Sequence, residues 1–333
     1  MSDQGDRVRA PISVNVVIPV YRGATTLPEL IDELSRFHAV QITPAGRPFQ
    51  IDEVLLVWDR GLEGSDEGIR RLCEQHDWVR PIWLSRNFGQ HAATLAGMTS
   101  SGGEWVVTMD EDGQHDPAYI GRMLDTAYAN RAQLVYAAPT TAPPHGFVRN
   151  TASRLTKWLF VRVLASGSPM KFHSYRLILG EAARSVAAYT GPDVYLDIAL
   201  SWVVADAVVC PIPMRSEGRE ASSYTYRRLA SHFWRLVVSS GTRPLRLVSL
   251  AGLVFAATGL FVSVYSLIRQ AVGDVKVEGW TSVFVALLVI GGAILFSLGI
   301  IAEYVAAATN MSMGKPVYVI VRDPADVYDE TGA

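Results

Sequence analysis

The sequence predicts an α/β domain with a largely parallel sheet, followed by a membrane anchor. Along roughly the first 140 residues, short β-branched apolar runs alternate with segments of helical spacing. The runs are continuously apolar, as expected for strands that helices cover on both faces. Two long uncharged stretches near the C-terminal end predict the anchor.

The strands and helices are predicted to alternate from the start of the chain. Strands are expected at Val14–Val20, Val54–Trp58, Ile82–Leu84, Trp105–Met109 and Leu134–Ala137. Helices are expected at Thr26–Ser35, Ser65–His76, Gly89–Met98 and Pro117–Ala129, the first with a capping box formed by Thr26 and Glu29. In such a sheet, ligands bind at the carboxyl ends of the strands. Polar residues that directly follow a strand are therefore the candidates for chemistry.

The anchor is predicted from hydropathy and charge. Leu247–Ile268 and Trp280–Ala302 carry no charge, and each is long enough at ~1.5 Å per residue to cross ~30 Å of hydrocarbon. Buried core helices are the alternative. The linker Arg269–Gly279 is poorer in basic residues than the flanking segments, so the positive-inside rule places both termini in the cytosol. Tyr224–Val238 mixes aromatic and basic residues, which favours a membrane interface over a half-buried soluble helix.

Composition excludes several classes of protein. Hydrophobic residues make up 49% and charged residues 19%, with a mean hydropathy of +0.18, which is too apolar for an ordinary cytosolic enzyme. The net charge of -2 argues against a nucleic-acid partner. Cys73 and Cys210 support neither a disulfide framework nor a zinc site, which fits a reducing compartment. The polar first twelve residues lack the apolar core of a signal peptide, so we expect a cytosolic N-terminal part.

Two motifs follow the first two predicted strands. The run VVIPVYRG is a buried strand that breaks at Pro19 and ends at Tyr21. Asp59 follows the second strand, where its carboxylate could accept a hydrogen bond from a pyrimidine imide or a ribose hydroxyl. A strand followed by a loop, and an ordinary turn aspartate, are the alternatives.

The third motif, LSRNFGQHAATLAG, places Arg86 and Asn87 between a strand and a helix that begins near Gly89. Arg86 and the backbone amides of this helix could bind a diphosphate or a base. An N-cap formed by Asn87 is the alternative, and it leaves the arginine unexplained.

The fourth motif, VVTMDEDGQHDP, runs from a buried strand into Asp110, Glu111 and Asp112, with Gln114 close behind. Asp110 and Asp112 could both ligate Mg2+ or Mn2+, which would bridge to the oxygens of a nucleotide diphosphate. Such a cation would neutralise the charge that develops on the leaving diphosphate. An acidic triplet in an exposed turn is the alternative.

Together, these motifs and the C-terminal pair of spans resemble the polyprenyl-phosphate glycosyltransferases, the dolichol-phosphate-mannose-synthase-like branch of the inverting GT-A enzymes of family 2. The resemblance implies a Rossmann-like GT-A domain and a multi-pass protein of the inner or plasma membrane, with a cytosolic catalytic domain. The implied segments are a catalytic domain at 1–222, an interfacial helix at 223–243, two membrane helices at 244–308 and a cytosolic tail at 309–333. KPVYVI at Lys315–Ile320 is similar to the end of such chains.

The resemblance also implies a reaction. One sugar would pass from a UDP- or GDP-sugar to an undecaprenyl- or decaprenyl-type phosphate, with Mg2+ or Mn2+ at Asp110 and Asp112. The implied donor-binding residues are Pro19, Tyr21, Asp59, Arg86, Asn87, Asp110 and Gln114, and the implied catalytic residues are Asp112, Arg149 and Arg176. A lipid phosphate with a second pKa of about 6 is largely a dianion at neutral pH. It therefore needs cationic groups rather than a general base.

The chain departs from the family pattern at three places. Trp58 stands where the family usually has an acidic residue, no basic residue follows the fifth strand until Arg149, and either Arg215 or Arg219 could take the place of a later arginine. Two rival functions stay open. A processive polysaccharide synthase is disfavoured because the chain lacks a Gln-x-x-Arg-Trp motif, and a catalytically degenerate scaffold or nucleotide-sugar-binding protein is the other. A homo-oligomer is compatible with the sequence.

Overall fold

The computed structural model describes residues 10–22, 25–62, 64–140, 173–191, 194–213, 215, single positions between 248 and 268, and 279–326. Arg149, Arg219 and the predicted interfacial segment Tyr224–Val238 lie outside these residues. The chain divides into two compact units. The first comprises Met1–Gly146, Pro169–Tyr224 and Pro316–Ala333, and the second comprises Phe147–Ser168 and Thr225–Lys315.

The described part of the first unit is built on a nine-stranded sheet. Its strands are β1 Ile12–Val20, β2 Gln41–Ile42, β3 Pro48–Trp58, β4 Val79–Leu84, β5 Trp105–Thr108, β6 Leu134–Pro139, β7 Arg176–Leu179, β8 Ala207–Ile212 and β9 Ile320–Val321. The spatial order is β8-β6-β7-β5-β1-β3-β4-β9, and β2 pairs with β3. The five predicted strands are confirmed, and the central pairs β5-β1, β1-β3 and β3-β4 are parallel as expected. β2, β7, β8 and β9 were not predicted; β2, β7 and β9 run antiparallel to their neighbours, and β8 runs parallel to β6.

The four predicted helices of this unit are also confirmed. The helices are α1 Leu27–Ser35, α2 Ser65–Gln75, α3 Gln90–Ser100, α4 Ile120–Asn130 after a 3-10 turn at Pro117–Tyr119, α5 Gly180–Tyr189 and α6 Leu196–Val203. The predicted capping box is wrong, because Thr26 makes no side-chain cap to α1. Its hydroxyl instead donates to the main-chain oxygen of Glu111 at 2.6 Å. Thr26 therefore binds to the loop that follows β5 instead of capping its own helix.

Helices cover both faces of the sheet, which explains the continuously apolar strands. Along β1, Val16 and Ile18 belong to a core cluster shared with α1, α2 and α4, while Val17 belongs to a second cluster shared with α3, α5 and α6. All three side chains are fully buried. Each buried aliphatic side chain of this size contributes about 1.5–3 kcal/mol relative to exposure.

Close packing of α3 on the sheet depends on Gly97. A Cβ at this position would lie 3.0 Å from Val57 Cγ2 and 3.2 Å from Val17 Cγ2, and still closer to Val17 Cγ1. The helix backbone therefore lies directly on β1 and β3. This packing fixes the distance of α3 from the sheet, and the first eight residues of this helix belong to the third sequence motif.

The second unit contains α7, Trp280–Ser312. This helix confirms the predicted helix at Trp280–Ala302 and continues beyond it. It supplies the one candidate membrane span in the described part of the chain, Val289–Ser312, with a mean hydropathy of 2.0. Most of the other predicted span, Leu247–Ile268, lies outside the described residues. Its described positions are helical; Val248 is half-buried, and the others, which include Phe261 and Tyr265, are exposed.

We predict that Gly97→Ala destabilises the first unit, because a methyl group at this position overlaps Val17. Overpacking of this kind costs about 1–3 kcal/mol. The free energy of unfolding can be measured by urea titration of the detergent-solubilised protein. Gly102→Ala is the matched control, since no described heavy atom lies within 4 Å of a Cβ there. Equal stabilities of the two variants would contradict the close packing.

Candidate active site

Hydrogen bonds join the loops that follow β1, β3, β4 and β5. The carboxylate of Glu111, after β5, accepts from the backbone amides of Tyr21 at 3.0 Å and Arg22 at 2.9 Å, after β1. The carboxylate of Asp59, after β3, accepts from the amides of Phe88 at 2.7 Å and Gly89 at 2.8 Å, after β4. The structure therefore brings the predicted motifs to one edge of the sheet.

Asp59 is nearly buried in this arrangement, with 4% of its surface exposed. Burial raises the pKa of its carboxyl group, while the amides of Phe88 and Gly89 and the charge of Arg86 oppose that shift. Its carboxylate thus orients the loop that carries Arg86. Each oxygen of the Asp59 carboxylate keeps a second lone pair, which can accept a hydrogen bond from a base. Recognition of a base by Asp59 therefore stays a prediction.

Trp58 belongs to the core rather than to the cleft. Its indole N-H donates to the Ser65 hydroxyl at 3.0 Å, and its ring packs edge-on against Trp83 with a centroid distance of 5.5 Å. Only 7% of the side chain is exposed. The indole therefore joins β3 to α2, and the departure from the family pattern at this position has a structural explanation.

Arg86 and Asn87 are exposed at the start of the third motif. The Arg86 guanidinium lies 4.1 Å from the centroid of the Phe88 ring. The alternative that Asn87 caps the following helix is wrong, because the N-cap residue of α3 is Gly89 and no side chain caps it. Two exposed polar side chains therefore stand beside the first amides of α3.

Three side chains surround Asp110. Gln90 donates to its Oδ1 at 2.6 Å, and the Ser174 hydroxyl donates to its Oδ2 at 2.5 Å. The backbone amide of Asp110 donates to His115 Nδ1 at 2.9 Å, and His115 Nε2 lies 3.7 Å from Asp110 Oδ2. Burial, aided by His173, lowers the pKa of His115 to about 3. His115 is therefore neutral, and acceptance at Nδ1 assigns its proton to Nε2.

Asp112 and Gln114 form the turn beyond Asp110. The amide of Gln114 donates to Asp112 Oδ1 at 3.1 Å, and Gly113 between them has a φ of 74°, which glycine adopts without strain. Asp110 and Asp112 are both half-buried carboxylates. Within the described residues, no three His, Cys, Asp or Glu side chains converge on a metal site. A carboxylate pair fits a hard cation that takes its other ligands from phosphate and water.

Arg176 is buried between a face of the sheet and α6. Its Nε and Nη2 donate to the two carboxylate oxygens of Asp197 at 2.8 and 3.1 Å, and its Nη1 donates to Thr108 Oγ1 at 3.3 Å. The Tyr136 hydroxyl donates to the same carboxylate at 3.0 Å. Arg176 and Asp197 are 4% and 2% exposed, so their charges neutralise each other out of water.

Arg215 is paired with two carboxylates near the acidic motif. Its guanidinium lies 2.8 Å from Glu33 and 3.1 Å from Asp116, and its amide donates to the main-chain oxygen of Gln114 at 3.3 Å. This contact links the segment after β8 to the turn that contains Asp112.

Sequence reasoning missed Gln90, Ser174 and Asp197. Gln90 lies within the third motif, so its position after a strand could have indicated a polar contact at the cleft. Ser174 precedes β7, which was not predicted as a strand. Asp197 gave no local signal, because its partner Arg176 is 21 residues away in the chain, on β7.

Comparison with known proteins identifies the family. Residues 15–186 match glycosyl transferase family 2, and residues 243–308 match the GtrB C-terminal hairpin. The chain belongs to glycosyl transferase family 2. The hairpin match coincides with the two membrane helices predicted at 244–308.

Individual relatives cover nearly the whole chain. The undecaprenyl-phosphate 4-deoxy-4-formamido-L-arabinose transferases of Salmonella paratyphi B and Salmonella newport are each 28% identical, over 93% of this chain and 94% of theirs. A mannosyltransferase from Pyrobaculum calidifontis, solved with GDP-Man and Mn2+, is 15% identical, with a TM-score of 0.50 over 92% of this chain and 89% of that one. The structural likeness supports the predicted GT-A fold.

We predict that Asp197→Asn destabilises the first unit severely, because it leaves the buried charge of Arg176 without a counter-ion. Removal of one partner of a buried pair costs about 3–5 kcal/mol. Asp66→Asn is the control, since Asp66 pairs with Arg70 on the surface of α2 at 3.0 Å. Both side chains are half-buried, and an ion pair between residues four apart on a helix contributes about 0.3–0.5 kcal/mol. The free energy of unfolding of both variants can be measured by urea titration. Similar losses for Asp197→Asn and Asp66→Asn would show that the buried Arg176–Asp197 pair contributes no more to stability than the pair on α2.

Proposed function

We propose that this protein transfers one sugar from a UDP- or GDP-sugar to a polyprenyl phosphate with inversion, at the cytosolic face of the membrane. The hydrogen bond from Gln90 to Asp110 carries the proposal, since it joins the exposed Arg86–Asn87 segment to the carboxylate pair. A diphosphate could therefore contact both at once. The undecaprenyl-phosphate relatives support the class of acceptor.

Asp110 and Asp112 would hold Mg2+ or Mn2+ against the donor diphosphate. When bound, such a cation stabilises the negative charge that develops on the leaving nucleotide. Gln90 and Ser174 orient Asp110 by donating to its two oxygens. Neutral His115 adds no competing positive charge, so the carboxylate pair keeps its attraction for a cation.

The third motif would bind the rest of the donor. Arg86 offers a planar set of donors suited to phosphate or to a base edge, and Asn87 offers both a donor and an acceptor. Asp59 holds the loop, and the segment of Pro19 and Tyr21 borders the same edge through Glu111. In this proposal Gln114 completes the donor contacts.

The acceptor step needs no proton transfer. One oxygen of the lipid phosphate forms a bond to the anomeric carbon while the bond from that carbon to the nucleotide diphosphate breaks. Attack opposite to the leaving group inverts the configuration. Cationic side chains would receive the acceptor phosphate, and we assign this role to Arg149. Because Asp197 already neutralises Arg176, we assign Arg176, which lies on β7, to holding this strand against β5 through Thr108 and against α6 through Asp197.

We predict that Asp112→Asn lowers kcat by about a hundredfold or more in the folded protein, since a metal ion contributes several kcal/mol of charge stabilisation. Sugar transfer to a polyprenyl phosphate can be measured with Mg2+ or Mn2+ and after chelation. Asp32→Asn, at an exposed position of α1, is the control and should retain full activity. Wild-type turnover by Asp112→Asn, or full activity without a divalent cation, would refute the metal assignment.

We further propose that the two membrane helices form a hairpin, with the 269–279 linker on the side opposite the cytosol. A cysteine introduced by Gly273→Cys should then react with a membrane-impermeant reagent from outside intact cells. Arg322→Cys, at an exposed position of the predicted cytosolic tail, is the matched control and should react only after lysis. Labelling of Gly273→Cys from the cytosolic side alone would overturn the topology.

A further inference from the structure

The segment that follows α7 returns to the sheet. We name residues 316–326 the C-terminal strap; it contains most of the KPVYVI motif. Its strand β9 pairs antiparallel with β4, with Trp83 opposite Val321 and Leu84 opposite Ile320. The Tyr318 hydroxyl lies 2.8 Å from Thr99 Oγ1 on α3. The strap therefore covers the edge of β4 and contacts the helix that follows it.

A bidentate ion pair holds the far end of the strap. Arg70 on α2 donates from Nε and Nη2 to the two oxygens of Asp323, at 2.8 and 2.7 Å. The guanidinium also lies 5.1 Å from the Trp83 ring centroid, so it stacks on the strand that β9 pairs with. The hydrogen bonds from Arg70 hold the pKa of Asp323 below its usual value. Asp323 is therefore charged at neutral pH, and the pair is intact.

The strap fixes the first residue of the loop after β4. The backbone amide of Ser85 donates to the main-chain oxygen of Val319 at 3.0 Å, and Arg60 donates to the main-chain oxygen of Ser85 at 3.2 Å. Asp59 holds the other end of the same loop through Phe88 and Gly89. Exposed Arg86 and Asn87 thus lie between two fixed points, one of which the strap supplies.

We propose that the C-terminal strap positions the donor-binding loop after β4, which carries Arg86 and Asn87. The Arg70–Asp323 ion pair holds the strap in place. The inference rests on the proposed function, in which Arg86 and Asn87 contact the nucleotide sugar. Arg70 and Asp323 are positioning residues, because neither reaches the loop directly. They act through β9 and Ser85. Loosening the strap lets the loop sample more conformations, so the donor must order it on binding.

The test uses the full-length protein in lipid nanodiscs. For Asp323→Asn we expect the KM for the nucleotide sugar, and the Kd for UDP or GDP with Mn2+, to rise about fivefold. The kcat and the KM for the polyprenyl phosphate should change by less than about twofold, because the proposed function assigns the acceptor phosphate to Arg149 and not to this loop. Asp323→Glu, which keeps the carboxylate, should recover most of the donor affinity.

Asp125→Asn is the matched control. Asp125 pairs with Arg47 at 2.7 Å, and Arg47 lies 5.0 Å from the Tyr128 ring centroid, so this ion pair resembles that of Arg70 in its chemistry. Arg47 precedes β3, whereas Asp59 follows it, so the control lies at the opposite end of that strand. We expect its donor KM to equal that of the wild type.

Amide hydrogen exchange gives a readout that does not depend on turnover. Exchange at Ser85 should accelerate in Asp323→Asn and not in Asp125→Asn. Unchanged donor affinity and unchanged exchange in Asp323→Asn would overturn the proposed role of the strap and would leave the proposed function standing. Failure of the wild type to bind either nucleotide or to transfer sugar would overturn the proposed function, and the inference with it. A parallel loss of donor and acceptor affinity would indicate general destabilisation and also contradict the inference.

Discussion

Two carboxylates, each accepting from a pair of adjacent backbone amides, are the interaction on which the candidate site depends. Asp59 binds the loop after β4, and Glu111 binds the loop after β1. Parallel strands bring their carboxyl ends to one edge, but the loops beyond them have no ladder to order them. Hydrogen bonds to a charged acceptor are stronger than neutral ones and fix such loops without filling the cleft. Acidic residues here therefore fix the backbone of the loops around the candidate site.

Electrostatic neutrality beneath the site is the second constraint. The charges of Arg176 and Asp197 neutralise each other between the sheet and α6, and neutral His115 lies against Asp110. No uncompensated positive charge from these groups therefore reaches the carboxylate pair from below. The polar contacts of Asp110 with Gln90 and Ser174 come from elements on either side of β5 in the chain. The orientation of the Asp110 side chain therefore depends on the packing of both α3 and β7.

Local sequence patterns predicted the central strands and the helices between them. The remaining features depend on contacts between residues that are far apart in the chain. Continuous apolar runs such as Val14–Val20 identified central strands, because both faces of those strands are covered. β9 is only two residues long, and its partner β4 lies far away in the chain, so no local pattern could reveal it. Thr26 had the spacing of a helix cap but bonds to Glu111 instead. Arg176 was predicted from its motif as a catalytic group, whereas its burial depends on Asp197, which carried no signal.

The pairing of β9 with β4 also constrains how the protein is made. During synthesis, β4 emerges early, while β9 leaves the ribosome only after α7 has been translated. Until then one edge of β4 has no strand beside it, and unpaired strand edges invite association with other chains. Completion of the sheet is therefore coupled to completion of the membrane anchor. A chain arrested before β9 would leave this edge of β4 open to pairing with other chains.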